Sequence, residues 1–285
     1  MIKSKCTVYA SILFSILILL PVHVFSQVSG SKPEEGSTVY DMVDSKSLEI
    51  DADFYMEKYT KGSANSIKKI QVNVQSDLKY FNAPAITFRY GLIKNLELQI
   101  LTGYTGVLTN GTATIKTPKN RIISATKNTS GLSSLGLGFK AGLLSNKKAR
   151  PSIAFTGIMN LPNIGNPAFT PNTVGTDLTL NFYNSLSKEV DLIYNFGTTW
   201  SGYKQDKSNS YNYCVSPGYS FSDNVGLYLE FTGLLESGTT SDNRVDLDFS
   251  TYLSDYVTLD VYAGTSFNVK KFFFIGSTFT ATIPF

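Results

Sequence analysis

The last eleven residues, Ile275–Phe285, read IGSTFTATIPF, and their apolar and polar side chains alternate. Positions of one parity are mostly apolar: Ile275, Phe279, Ala281, Ile283 and Phe285. The threonines Thr278, Thr280 and Thr282 have the other parity. Successive side chains of an extended chain point to opposite faces, so a period of two predicts a strand with one apolar and one polar face.

The same period recurs along the rest of the chain, in the segments SLEIDADF (47–54), DLTLNF (177–182), VGLYLEFT (225–232), VDLDFS (245–250) and VTLDVYAG (257–264). Counting such segments gives about twelve strands, at roughly 47–60, 66–92, 94–104, 131–144, 151–161, 175–187, 189–202, 209–221, 224–235, 243–254, 256–267 and 272–285. The 66–92 segment is unusually long, and Pro84 predicts a bend in it because proline cannot donate to a central ladder.

The connections between these segments alternate in length. Short links at 94–95, 187–189, 222–224 and 254–255 are separated by longer polar stretches at 105–130, 162–174, 204–209 and 236–243. Short turns on one side and long loops on the other are typical of bacterial membrane barrels. We interpret Thr105–Ser130 as a long loop that is able to block the lumen.

These patterns predict an all-β protein, a transmembrane antiparallel up-and-down β-barrel with both termini periplasmic. Lipid offers no hydrogen bonds to free backbone groups, so a sheet that spans a membrane must close on itself. Some aromatic residues near strand ends are predicted to lie at the two membrane interfaces: Tyr59, Tyr104, Trp200, Tyr219 and Phe221. Mean hydropathy is close to zero, at −0.03, which also fits a soluble β-sandwich, so that alternative stays open.

The first 26 residues have the layout of a secretory signal peptide. Lys3 and Lys5 precede an apolar stretch that ends near Leu20, and Gln27 follows a short small-residue segment. Residues 27–46 form a polar leader that is predicted to lie outside the barrel, and residues 47–285 form the barrel. Removing Lys3 and Lys5 lowers the formal net charge from +3 to about +1, which gives no reason to expect a nucleic-acid partner.

Signal cleavage also removes His23, which is the one histidine of the chain. A mature chain without histidine cannot assemble a Ser–His or Cys–His nucleophile pair or a histidine-ligated zinc site. We therefore predict that the protein is not an enzyme and holds neither a cofactor nor a metal. Cys214 has no second thiol to pair with and is interpreted as a small packing residue on the inner face.

The parity of the strands predicts which charged residues face the lumen. The candidates are Arg89, Glu97, Lys140, Asp177, Asp191, Glu230, Asp246, Asp248 and Asp260. One hypothesis is a structural network in which Arg89 and Lys140 pair with Glu97 or Glu230, because buried charge is tolerated when it is paired. The other is an acidic, water-filled path that favours cations or neutral polar solutes.

The chain resembles the outer-membrane "MetA-pathway of phenol degradation" family of transporter barrels. The residues that carry the resemblance are 84–92 (PAITFRYGL), 95–98 (NLEL), 131–132, 136–140 (GLGFK), 160–162 (NLP), 195–197 (NFG), 228–233 (YLEFTG), 259–260 and 276–277. The resemblance implies a barrel that takes up small, including aromatic, compounds. The final strand ending at Phe285 is similar to the signal by which outer-membrane barrels bind the barrel-assembly machinery, which is the implied partner together with outer-membrane lipid.

Three functions follow as hypotheses. The leading one is a porin-like pore or transporter for small molecules in the outer membrane of a bacterial cell. The second is a non-conducting structural or adhesion barrel of the same membrane. The third is a soluble secreted all-β binding protein.

Overall fold

The structure is a computed structural model that describes residues 42–67, 70–116, 121–145, 151–202, 209–236, 242–269 and 271–285. The predicted signal peptide and most of the leader lie outside these residues. No described residue belongs to a helix that is long and apolar enough to cross a membrane.

Thirteen strands make up the described residues almost entirely. They are β1 (Ser47–Ile67), β2 (Ile70–Ile93), β3 (Leu96–Lys116), β4 (Arg121–Leu132), β5 (Gly136–Leu144), β6 (Ser152–Asn160), β7 (Gly175–Ser185), β8 (Val190–Trp200), β9 (Asn209–Ser222), β10 (Val225–Glu236), β11 (Asp242–Ser254), β12 (Val257–Ser266) and β13 (Phe273–Pro284).

The strands close into a ring of twelve positions. Neighbours in sequence pair antiparallel, and β13 returns to β1 with Pro284 opposite Ser47. Strands β4 and β5 pair with successive halves of β3: Leu132 lies opposite Tyr104, and Gly136 lies opposite Leu101. Strands β4 and β5 therefore share a single strand position in the barrel wall, with a break at residues 133–135. The predicted twelve-stranded barrel is confirmed.

Strand β11 shows how the sequence period sets the two surfaces. Leu247 and Phe249 are 53% and 43% exposed on the outside, whereas Asp246 and Asp248 on the inside are 7% and 2% exposed. This inversion of ordinary burial suits a wall between hydrocarbon and an enclosed polar interior. A slip of one residue would put both aspartates against lipid, so the register is strongly specified.

The barrel has one end with short turns and one end with a projecting sheet. Lys94–Asn95 and Asp223–Asn224 connect strands at the short-turn end, where Ser47 and Pro284 also lie. At the other end four strands continue beyond Lys58 and Phe273, the last partners of the β1–β13 ladder. We call this part the projecting sheet, residues 59–67, 70–81, 105–116 and 121–132.

The interpretation of Thr105–Ser130 as a loop is wrong. Its described residues, 105–116 and 121–130, are the outer part of β3 and most of β4, paired from Thr105 opposite Gly131 to Ile115 opposite Arg121. Threonine, valine and isoleucine favour strands, but both faces of a sheet outside the membrane meet water, so the apolar alternation that marks the other strands is weak here. The prediction that the segment blocks the lumen is withdrawn with it.

The predicted bend near Pro84 is confirmed as a bulge. The register between β1 and β2 shifts where Asn82 and Ala85 lie opposite Tyr55 and Asp53. The same two residues of β2 mark a register shift against β3. Proline has no backbone N–H to donate. Because the bulge leaves Pro84 outside the regular pairing, no hydrogen bond of the ladder is lost.

Candidate functional site

The inner wall carries a group of charged side chains on β1, β2, β3 and β5. Arg89 binds Glu97 with two bonds, Nε to Oε1 at 2.8 Å and Nη2 to Oε2 at 3.0 Å. The remaining terminal nitrogen of Arg89, Nη1, donates to Glu49 on β1. The planar guanidinium matches a carboxylate in this bidentate arrangement, which fixes both side chains.

Glu97 collects further donors from its neighbours. Gln99 Nε2 donates to Glu97 Oε1 at 2.8 Å, and Lys140 lies directly opposite Glu97 in the β3–β5 ladder. Glu97 has no exposed surface and Lys140 only 2%. We call Glu49, Arg89, Glu97, Gln99 and Lys140 the Arg89 cluster. Its charges are compensated within the cluster, which is the condition for burying them.

The end of the leader enters the lumen and joins this cluster. The backbone N–H of Val43 donates to Glu97 Oε2 at 3.0 Å, and the N–H of Lys46 donates to the carbonyl of Gly91 at 2.7 Å. A Cβ on Gly91 would overlap the carbonyl oxygens of Val43 and Asp44. The prediction that the leader lies outside the barrel therefore does not hold for its last residues, which pack on the inner wall because Gly91 leaves room for them.

A second group, the acidic wall, lies on β10, β11 and β12. It consists of Glu230, Asp246, Asp248 and Asp260, all buried on the inner face. Glu230 lies directly opposite Asp246, and Tyr228 lies opposite Asp248. Four carboxyl groups on three adjacent strands make this part of the inner wall acidic in composition.

The structure places all nine predicted lumen residues on the inner face, but they lie in separate groups around the barrel. Arg89, Glu97 and Lys140 are in the Arg89 cluster, whereas Glu230 stands five strand positions away from both β2 and β5. Asp177 accepts a bond from Asn160 Nδ2 at 2.8 Å, and Asp191 accepts one from the Tyr183 hydroxyl at 2.7 Å. Arg89 thus pairs with Glu97, one of the two carboxylates proposed for it.

An aromatic cluster near the projecting sheet was missed in the sequence. It comprises Tyr55, Tyr59, Tyr80, Tyr262, Phe272 and Phe274. Arg244 stacks on it, with the guanidinium carbon 4.6 Å from the centre of the Phe272 ring. The alternation of β11 could have identified Arg244, because it lies on the same face as Asp246 and Asp248.

Tyr59 was predicted at a membrane interface and is instead buried inside the barrel. The other four aromatic residues predicted there are exposed: Tyr104, Trp200, Tyr219 and Phe221.

Arg244 is also held by acidic partners. Its Nη2 lies 2.7 Å from Asp242 Oδ2, and its Nη1 lies 3.4 Å from Glu57 Oε2 and 3.1 Å from the Tyr55 hydroxyl oxygen. The lumen therefore has a packed aromatic side at one end and the Arg89 cluster toward the other. In the part of the chain that the structure describes, no group of His, Cys, Asp and Glu is arranged to hold a metal ion.

Residues 57–283 match the model of the family described as "MetA-pathway of phenol degradation". The chain belongs to this family. The match includes Arg89, Glu97, Lys140 and the whole acidic wall, and it begins after Glu49. The family resemblance read from the sequence is thereby confirmed.

Solved structures with a similar fold are outer-membrane channels. The crystal structure of the COG4313 outer membrane channel from Pseudomonas putida F1 is 14% identical, covers 90% of this chain and 100% of that chain, and has a TM-score of 0.52. The Ralstonia pickettii toluene transporter TbuX is 7% identical over 87% of this chain and 91% of that chain, with a TM-score of 0.45. No curated protein matches the chain.

The first of these structures supports the fold assignment. This family member has the barrel of an outer-membrane channel, as predicted, and its apolar outer surface fits that location.

Proposed function

We propose that this protein is a transporter-like channel that lets small molecules cross the outer membrane, with its short-turn end in the periplasm. The observation that carries the proposal is a closed wall with an apolar outer surface and a charged inner surface. Such a wall encloses a polar interior that lipid cannot enter, and solutes small enough to pass the side chains can use it.

The charges of the lumen favour cationic or neutral solutes. The acidic wall presents Glu230, Asp246, Asp248 and Asp260 on three adjacent strands. The basic residues Arg89 and Lys140 lie on other strands, around Glu97. Acidic groups on the wall of a narrow channel lower the energy of a cation inside it and raise that of an anion.

Small aromatic compounds are the substrate class that we favour. The family description names phenol degradation, and the aromatic cluster lines the lumen beside the projecting sheet. Rings of this kind attract other rings by edge-to-face and offset stacking. A neutral phenol-like compound also meets no repulsion from the acidic wall, to which its hydroxyl can donate.

We expect potassium chloride currents through the protein in planar bilayers to show a cation-selective reversal potential. The double variant Asp248→Asn/Asp260→Asn should shift that potential toward zero, because two acidic side chains leave the inner wall. Asp223→Asn/Asp255→Asn removes the same charge from exposed turns and should leave the potential unchanged. An anion-selective wild-type current would contradict the proposed lumen.

A non-conducting barrel is the second candidate, and the tight packing of the lumen favours it. Glu97, Asn181 and Ser216 lie on the inner face at strands around the ring and have no exposed surface. In a water-filled pore, side chains of the inner face would be exposed to solvent. If the bilayer experiment gives no current at all, the projecting sheet becomes the functional surface and the barrel its anchor.

A further inference from the structure

Three buried polar side chains lie side by side on the inner wall, near the middle of β7, β8 and β9. They are Asn181, Asn195 and Ser216, and we call them the amide–serine row. Asn181 lies directly opposite Asn195, and Ser216 lies opposite Ile193, the inward neighbour of Asn195 on β8. Side chains directly opposite each other are about 5 Å apart at Cβ and diagonal ones roughly 7–8 Å, so one small molecule can contact all three.

Each side chain of the row has a buried polar atom without a hydrogen-bond partner among the described residues: Asn181 Oδ1, Asn195 Nδ2 and Ser216 Oγ. The amide of Asn181 is oriented by its other end, since its Nδ2 donates to Thr156 Oγ1 at 2.9 Å. Asn181 and Ser216 have no exposed surface, and Asn195 is 5% exposed. Folded proteins pair nearly all of their buried polar atoms, because an unpaired one costs free energy. Three such atoms together therefore point to a partner from outside the chain.

The side chains of the row can move aside at little cost in hydrogen bonds. Their three unpartnered atoms lose no bond when a solute separates them, whereas parting Arg89 from Glu97 breaks two bonds between charged groups. Hydrogen bonds between charged groups are the stronger kind. We therefore expect a solute in the lumen to pass beside the row rather than through the Arg89 cluster.

Small apolar side chains surround the row. They are Ala154, Ile193 and Cys214, each directly opposite a member of the row and at most 4% exposed. Neither the row nor these neighbours carry a charge that could compensate an ion. The place offers one acceptor, one donor and one hydroxyl beside apolar surface. A solute hydroxyl donates and accepts at the same time, so a neutral solute with a hydroxyl on a small apolar body matches it.

We propose that the amide–serine row binds the hydroxyl group of a neutral solute inside the lumen, with the apolar body of the solute against Ile193 and Cys214. The hydroxyl donates to Asn181 Oδ1 and accepts from Asn195 Nδ2, and Ser216 Oγ can either donate or accept. The inference rests on the proposed function, because the solute has to enter the lumen. It concerns the hydroxyl and not an aromatic ring, so an aliphatic alcohol fits as well as a phenol.

The test uses the thiol of Cys214, which lies directly opposite Asn195. Cys6 belongs to the predicted signal peptide, so Cys214 is the thiol that the mature chain offers to a reagent. In the detergent-purified mature protein, mass spectrometry follows the rate at which methyl methanethiosulfonate modifies this thiol. Phenol and cyclohexanol should slow the modification, because the bound solute covers Cys214. Toluene at the same concentration has a methyl group in place of the phenol hydroxyl and should slow it much less.

Asn195→Leu/Ser216→Ala should need at least about fivefold more phenol for the same protection, because two hydrogen bonds to the solute are lost. Both substitutions leave the bond between Asn181 and Thr156 in place, and the change in gel mobility on heating shows that the barrel is folded. Ser124→Ala/Asn128→Leu makes the same two changes at exposed positions of the projecting sheet. This matched control should be protected like the wild type.

Equal protection by toluene and phenol would overturn the hydroxyl site, as would equal protection of the Asn195→Leu/Ser216→Ala variant and the wild type. A thiol that reacts in urea but not in the folded protein would also overturn it, since a place that phenol enters admits the smaller reagent. A cation-selective current together with an unprotected Cys214 would refute the hydroxyl site alone. Protection of Cys214 without any current in bilayers would refute the proposed channel alone.

Discussion

Arg89→Gln is expected to lower the free energy of unfolding by about 3–5 kcal/mol, the usual cost of leaving one buried charge without its partner. The substitution removes both bonds to Glu97 and the bond to Glu49. Glu97 would keep Gln99, Val43 and Lys140, but Glu49 and Glu97 would then face each other across β2 without the guanidinium between them. Repulsion adds to the loss of hydrogen bonds.

Urea unfolding in lipid vesicles, followed by the change in gel mobility of the unheated protein, measures this effect. Lys94→Gln changes the same charge at an exposed turn and should alter stability by less than about 0.5 kcal/mol. Arg89→Lys keeps the charge but not the bidentate fork, so its stability should fall between the two. An Arg89→Gln variant as stable as Lys94→Gln would show that the Arg89 cluster does not hold the wall together.

Gly91→Ala is expected to raise ion conductance severalfold in planar bilayers. Its methyl group would occupy the space of the Val43 and Asp44 carbonyl oxygens. The chain before Ser47 must then leave the inner wall, and the bond from Val43 to Glu97 is lost with it. Backbone oxygens cannot give way as a flexible side chain can, so the smallest possible substitution should be enough.

Gly111→Ala is the matched control, because a Cβ there meets nothing closer than 3.8 Å. It adds the same methyl group to the projecting sheet, away from residues 42–46, and should leave conductance unchanged. If Gly91→Ala conducts no better than wild type, residues 42–46 are not what narrows the lumen.

Wherever one strand face meets lipid, the sequence was enough to predict structure. Leu247 and Asp248 differ in environment because of their parity alone, which is a local property. In strands that extend beyond the membrane, the alternation of apolar and polar residues is weaker. The described strands of Thr105–Ser130 lie in the projecting sheet beyond the membrane, so they are specified by propensity and by pairing with β2, which composition does not reveal.

The candidate site was predictable in its parts but not in its connections. Parity placed Arg89 and Glu97 on one face, and their position on the β2–β3 hairpin made the pair local. The contact of Val43 with Glu97 spans 54 residues and depends on the absence of a side chain at Gly91. Tyr59 lies on the same strand face as Glu57, and this position alone predicts that it is buried inside the barrel. It was instead predicted at a membrane interface because it is an aromatic residue near a strand end.

The native fluorescence of Trp200, the one tryptophan of the chain, tests the outward-facing surface most directly. Trp200 has the parity of the lipid-facing residues of β8, lies at the strand end and is 41% exposed. In vesicles of brominated phospholipids we expect strong quenching, greater for bromine near the headgroup than near the bilayer centre. Emission that is indifferent to brominated lipid but fully quenched by aqueous iodide would contradict a barrel whose outer face lies in hydrocarbon.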